Sequence, residues 1–145
     1  MSEKTLTSVS ATIMLSVGGI FPVPQKLEGF AADNLFGSDA VDQTEVVMGA
    51  DGKLSGGIVL NPTPFTISLM PNSPSFYVFE TWIMAQKTTR EVFTCDAEVT
   101  IKGTGRKYVL SKGYLTSGKM LPDAKRLLQS CDFKITFESV APAFI

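Results

Sequence analysis

Three segments of this chain alternate apolar and polar residues with a period of two, and this pattern constrains the fold more than any other feature. Between Val9 and Val17 the odd positions hold Val9, Ala11, Ile13, Leu15 and Val17, opposed by Ser8, Ser10, Thr12 and Ser16. Between Phe93 and Lys102, Phe93, Cys95, Ala97, Val99 and Ile101 alternate with Thr94, Asp96, Glu98, Thr100 and Lys102. Near the C-terminus Phe133, Ile135 and Phe137 alternate with Asp132, Lys134, Thr136 and Glu138. Successive side chains of a strand point to opposite faces, so each segment has one oily and one wet face. Strands of this kind belong in an antiparallel sheet covered on one side.

The rest of the chain reads mostly as further strands. The first spans 5–17 and breaks at Gly18-Gly19. Residues 20–28 form an irregular strand whose Pro22 and Pro24 suit a sheet edge. A long loop is expected at about 29–43, then a hairpin at about 45–60 turning at Asp51-Gly52, where glycine tolerates positive φ. A strand follows at 65–69. Asn72 and Ser73 are candidate N-caps and Pro74 suits a first helical turn. Phe76, Phe79 and Ile83, with Tyr77 and Met84, then recur at helical spacing to about Lys87. Strands at 92–102 and 106–115 join through Gly103-Thr104-Gly105, a short helical or turn segment lies near 122–129, and the last strand spans 131–140. The expected fold is mainly β: an antiparallel β-sandwich or partial barrel with one flanking α-helix.

At 145 residues the chain is expected to form a single domain over 1–145. Its net charge of −1 supplies no global basic field for nucleic acid. The charge is uneven: residues 1–60 carry seven acids and three bases, and 61–145 seven acids and ten bases. Such polarity is compatible with head-to-tail stacking of identical subunits. Met1-Ser2-Glu3-Lys4 opens no unbroken apolar run, so no targeting segment is expected. No window approaches the roughly 20 apolar residues of a membrane span.

The chemistry is correspondingly sparse. The chain has no histidine, which removes Ser–His, Cys–His and His–metal arrangements. Cys95 and Cys131 share the parity of core residues and read as buried thiols. Asp96 and Glu98 sit on one strand face, where alternation explains them better than a catalytic pair converging from separate elements. Asp39 and Asp42 lack the other ligands of a calcium loop. Gly113 to Met120 matches G-x-x-x-x-G-K but ends in Met120, which cannot hold Mg²⁺ as the P-loop Ser or Thr does. Its glycines read instead as a strand-end turn. No catalytic residue, metal or cofactor is expected, and the chain does not read as an enzyme.

Several runs resemble a known family. Lys26-Leu27-Glu28-Gly29-Phe30-Ala31-Ala32-Asp33-Asn34-Leu35-Phe36, Met48-Gly49-Ala50-Asp51-Gly52-Lys53-Leu54-Ser55-Gly56-Gly57, and Asn72-Ser73-Pro74-Ser75 opening an aromatic helix are similar to the tail tube proteins of tailed bacteriophages, or to tube-like baseplate rings sharing that fold. The layout of strand, long loop, hairpin, helix and closing strands agrees, over roughly residues 5–140. The resemblance implies a structural virion protein of the tail, assembled in the host cytoplasm into homo-hexameric rings that stack. Strands of each subunit would line a channel for DNA, with sheath, baseplate or tail-terminator proteins as further partners.

Two surfaces follow. A DNA conduit must be polar without gripping phosphates, since each neutralising cation adds affinity. Ser8, Ser10, Thr12, Thr94, Asp96, Glu98 and Thr100 are therefore the lumen-facing candidates, with Lys102 and Lys134 as departures. Solvent-facing positions of any antiparallel sandwich would look the same. The inter-subunit candidates are the apolar residues of the loop and hairpin, Phe30, Leu35, Phe36, Val46, Met48 and Ile58, with Trp82 beside the helical stripe. The competing arrangement folds these segments back over their own core. The alternative function is a small-ligand or carbohydrate-binding β-sandwich module of a phage fibre or adhesin. Ring number, the choice between repeating tube and single ring, and the contractility of the tail are not legible in the sequence.

Overall fold

The computed structural model of the chain describes residues 11–30 and 36–144. Its elements run β1 (Ala11–Val17), β2 (Phe21–Lys26), β3 (Phe36–Ser38), β4 (Thr44–Met48), β5 (Leu54–Ile58), β6 (Thr63–Leu69), α1 (Phe76–Thr89), β7 (Cys95–Ile101), β8 (Arg106–Gly118) and β9 (Cys131–Phe144). Seven strands form one antiparallel sheet in the order β2-β1-β7-β8-β9-β6-β3, and β4 pairs only with β5. The fold is therefore mainly β with one helix, as the alternation requires.

Three expectations need correction. The loop after residue 29 contains β3, a three-residue edge strand laid against β6 with Phe36 opposite Ile67. Its Phe-Gly-Ser sequence is too short to show a period. The helix starts at Phe76, later than Asn72 or Ser73 would cap it. The Ser73 hydroxyl accepts the Ser75 N–H in a turn before the helix and donates to the Glu28 carbonyl. The segment near 122–129 is not helical; it is irregular, with a lone bridge between Ala124 and Leu128.

The two longest strands carry the sheet. β8 pairs along its first half with β7, with Ile101 opposite Arg106, and along its whole length with β9, from Arg106 opposite Phe144 to Gly118 opposite Phe133. Two bulges interrupt β8, one between Leu110 and Gly113 and one between Leu115 and Ser117. Extra residues of this kind bend a strand and increase its twist. The bend shows in what the strands share. In a flat sheet β3 and β7 would lie about 19 Å apart, yet Phe36 of β3 and Val99 and Ile101 of β7 line one recess of about 420 Å³. The sheet curls into an incomplete barrel.

One end of the curl is filled by α1. Phe79 stacks on Phe133 of β9 with centroids 4.4 Å apart and planes 16° apart, and Phe76 meets the same ring edge-on at 5.5 Å. Around them the core parity holds: Ile13, Leu15, Val17, Cys95, Ala97, Val99, Phe133, Ile135 and Phe137 are all buried. The helix ends at Arg90, whose left-handed φ of 57° lets its N–H reach the Gln86 carbonyl. Gln86 Oε1 then accepts the Phe93 N–H, tying the helix to the approach to β7.

The P-loop-like glycines take their meaning from this packing and not from a turn at the strand end. A Cβ on Gly113, in mid-strand, would lie 2.6 Å from the Phe137 ring. One on Gly118 would lie 2.9 Å from both Ile83 and Phe133. Phe133 is the ring on which both the helix and β8 close. Phe133→Ala is expected to cost about 3–5 kcal/mol, read as a lowered denaturant midpoint with the far-UV spectrum of the native state retained.

Candidate assembly surfaces

The outward face of β1, β7 and β8 is the first surface. Register places Thr12 opposite Thr100, Met14 opposite Glu98 and Ser16 opposite Asp96, all on the side away from buried Ile13, Leu15, Val17, Ala97 and Val99. β8 continues the face with Val109 opposite Glu98 and Lys107 opposite Thr100. The strand pattern thus brings Thr12, Asp96, Glu98 and Thr100 together, while Thr94 lies one residue before β7, its carbonyl accepting the Gly18 N–H. Ser8 and Ser10 lie outside the described residues.

This face differs in charge from what β1 and β7 alone would give. Lys107 Nζ lies 3.6 Å from Glu98 Oε1, so the acid meets a base from the next strand. Asp96 supports the backbone, since its carboxylate accepts the N–H of Lys112 at 3.0 Å. Lys112 is the bulge residue with φ of 52°, and its amide has left the ladder. The face is therefore mixed and nearly neutral, interrupted by Met14 and Val109. Neighbouring strands, invisible to a single-strand pattern, supply these groups.

The second surface is the β4–β5 ribbon. Met48 faces Leu54, Val46 faces Gly56 and Thr44 faces Ile58. Alternation puts Val46, Met48, Leu54 and Ile58 on one side and Glu45, Val47, Ser55 and Gly57 on the other. Every residue of both strands is exposed, Ile58 to 85%. The ribbon turns where expected, with Gly49 N–H donating to the Lys53 carbonyl and Asp51 Oδ1 accepting the Lys53 N–H. Val46, Met48 and Ile58 thus form an uncovered apolar strip.

The other inter-subunit candidates go elsewhere. Trp82 is fully buried, near-parallel to Phe79, with its indole N–H donated to the Phe93 carbonyl at 3.1 Å. It is a core residue; helical spacing placed it beside the stripe, but the covered arc of α1 is wide enough to include it, while Tyr77 and Met84 are exposed. Phe36 stacks on Phe65 at 5.6 Å, and Phe30 bridges to Leu69; both pack half-buried on their own core. Leu35 lies outside the described residues.

A third surface was missed in the sequence. The β8–β9 connection, 119–130, exposes Leu121, Leu127 and Leu128 beside Lys125 and Arg126. Lys119 is held by Asp123 at 2.6 Å; Lys125 and Arg126 have no ion-pair partner among the described residues. Three leucines without a period give no strand or helix signal, and their exposure becomes visible only once the two flanking strands are placed.

The described residues contain no cluster of three or more potential metal ligands. Both cysteines are free and buried. Burial, with the Asp96 carboxylate adding to it, pushes the Cys95 thiol up to about 12.

These features define a class. The chain belongs to the family described as tail fiber protein gp32, whose model matches residues 4–141. It is similar to a chain in the extended sheath–tube complex of the extracellular contractile injection system PVC, with a TM-score of 0.63 and 16% identity over 92% of this chain and 88% of that one. It is similar also to a chain of the anti-feeding prophage tube-terminating cap (TM-score 0.60, 14% identity, 100% and 95% covered) and to one of the anti-feeding prophage baseplate (0.59, 10%, 99% and 98%). No curated protein matches. At these identities the structural likeness is one of fold, and the family makes the chain a structural component of the tail.

The raised thiol gives a pH dependence with a definite sign. An unfolded Cys95 loses its proton near 9.0 and the folded one near 12, so above pH 9 the unfolded state binds fewer protons and stability falls with rising pH. The denaturant midpoint is expected to drop between pH 9 and 11, less steeply in Cys95→Ala.

Proposed function

We propose that this chain self-assembles into homo-hexameric rings that stack into a tail tube or form a tube-like baseplate ring, through which DNA passes. The observation that carries the reading is the β4–β5 ribbon. A two-stranded ribbon is at best marginal alone in water, and this one has an apolar strip that nothing among the described residues of its own chain covers. Burial between subunits is what such a strip requires.

The outward face of β1, β7 and β8 suits a lumen. Thr12, Thr100 and the Glu98–Lys107 pair are hydrophilic, and their near-neutral balance offers no row of cations to hold phosphates. DNA contact there is transient and non-specific. Ring closure would cover the two edges of the curled sheet, β2 and β3. Sheath, baseplate or terminator proteins are the expected neighbours, and assembly takes place in the host cytoplasm before incorporation into the virion.

The fibre-module alternative draws on the family description. A sugar site needs aromatic platforms on one surface, whereas the exposed aromatic side chains among the described residues, Tyr77 and Tyr114, stand on α1 and β8.

Negative-stain microscopy of the purified chain over a concentration series tests the reading: hollow rings or tubes are expected, and dispersed monomers at high concentration would refute self-assembly. Met48→Asp and Ile58→Asp are each expected to abolish these assemblies while leaving a folded monomer, because neither side chain touches the core. Normal tubes from both would remove the ribbon from the interface.

A further inference from the structure

The ribbon and the β8–β9 connection are complementary, and they stand at opposite ends of the subunit. The connection enters β9 at Cys131. The base of the ribbon, through Asp42, Val59 and Leu60, lines a recess with Glu138, Ser139 and Val140, about 25 Å further along the same strand. The excursion 39–62 carries four acids, Asp39, Asp42, Glu45 and Asp51, against one base, Lys53, all exposed. The connection carries Lys125 and Arg126, both exposed, once Lys119 and Asp123 have neutralised each other. Each surface also exposes bare apolar side chains: Val46, Met48, Leu54 and Ile58 on the ribbon, Leu121, Leu127 and Leu128 on the connection.

We infer that the ribbon of one copy docks on the β8–β9 connection of the next copy along the stack. Its apolar strip covers the three leucines, and its acidic rim faces Lys125 and Arg126. This deepens the stacked-ring reading, on which it rests, by naming both halves of the contact. Because the two halves are different surfaces at opposite ends, the contact is heterologous. It leaves a free ribbon at one end and a free connection at the other, so it propagates in one direction instead of closing into a dimer. Opposite charges at the rim set register and orient the approach.

Charge reversal tests the pairing. A Lys125→Glu, Arg126→Glu chain and an Asp39→Lys, Asp42→Lys chain are each expected to raise the concentration needed for assembly about tenfold, and the chain carrying all four changes to recover assembly. If the two reversed chains assemble as the native one does, or the fourfold chain fails although circular dichroism shows it folded, the pairing is overturned. A second measurement does not rely on charge. Assemblies of a Met48→Cys, Leu127→Cys chain should yield a ladder of disulfide-linked multimers on mild oxidation, since native Cys95 and Cys131 are buried; monomers alone from intact assemblies would overturn the contact. If the native chain forms no rings or tubes, the failure lies with self-assembly itself, which separates that outcome from a wrong choice of surfaces.

Discussion

The stack of Phe79 on Phe133 is the contact on which the rest of the molecule depends. A sheet with alternating faces has one side that must be kept from water, and among the described residues only one helix is present to cover it. Phe133 receives that helix through Phe76 and Phe79 and lies against the Cα of Gly118. β8 and β9 are thereby fixed to α1, and through them the register of the remaining strands. Ser73 and Ser75 tie the same, N-terminal end of the helix to the chain after β2, with Ser75 Oγ accepting the Glu28 N–H at 2.7 Å. Aromatic burial supplies the free energy, and buried hydroxyls supply the alignment.

The core ends where this cover ends. β4 and β5 extend beyond it, with apolar side chains and ribbon edges that contribute nothing to the isolated subunit. A chain that retained such a feature for folding would have packed it inward. Its composition suits the boundary between copies proposed above. The polar face of β1 and β7 obeys the converse logic: it carries charges, but pairs them across strands, so that the surface is wet without a strong field. On the proposed reading, one chain presents an adhesive ribbon and an indifferent face of the larger sheet.

Much of this is legible in the sequence alone. The parity of Ile13, Leu15 and Val17, and of Cys95, Ala97 and Val99, names the buried face correctly, because period two leaves no freedom once one side is covered. The turn at Asp51-Gly52 and the ribbon around it are equally plain. What escapes the sequence is non-local. Trp82 lies off the idealised helical stripe yet is fully buried, since a helix held in a curled sheet is covered over a wider arc than one on a flat sheet. β3 is three residues long and exists only because β6 lies beside it. Gly113 resembles part of a phosphate loop, and its reason is the Phe137 ring across the strand. The role of Asp96 as acceptor for a bulged amide depends on where β8 gains its extra residue, which no pattern in β7 records.

The edges of the sheet bear on how the proposed assembly would begin. β2 places Pro22 and Pro24 on one outer strand, and the other outer strand, β3, is three residues long. Neither offers the long run of free amides that recruits a stray strand. The seven-stranded sheet is thereby guarded against indiscriminate backbone pairing, which leaves the edges of the β4–β5 ribbon as the open strand edges among the described residues. In the stacking proposed above, docking through one ribbon would be weak one contact at a time, so growth would be favoured on a template that presents several docking surfaces at once. In the proposed assembly, the starting point of polymerisation at low concentration would then be set by a nucleating complex and not by the monomer.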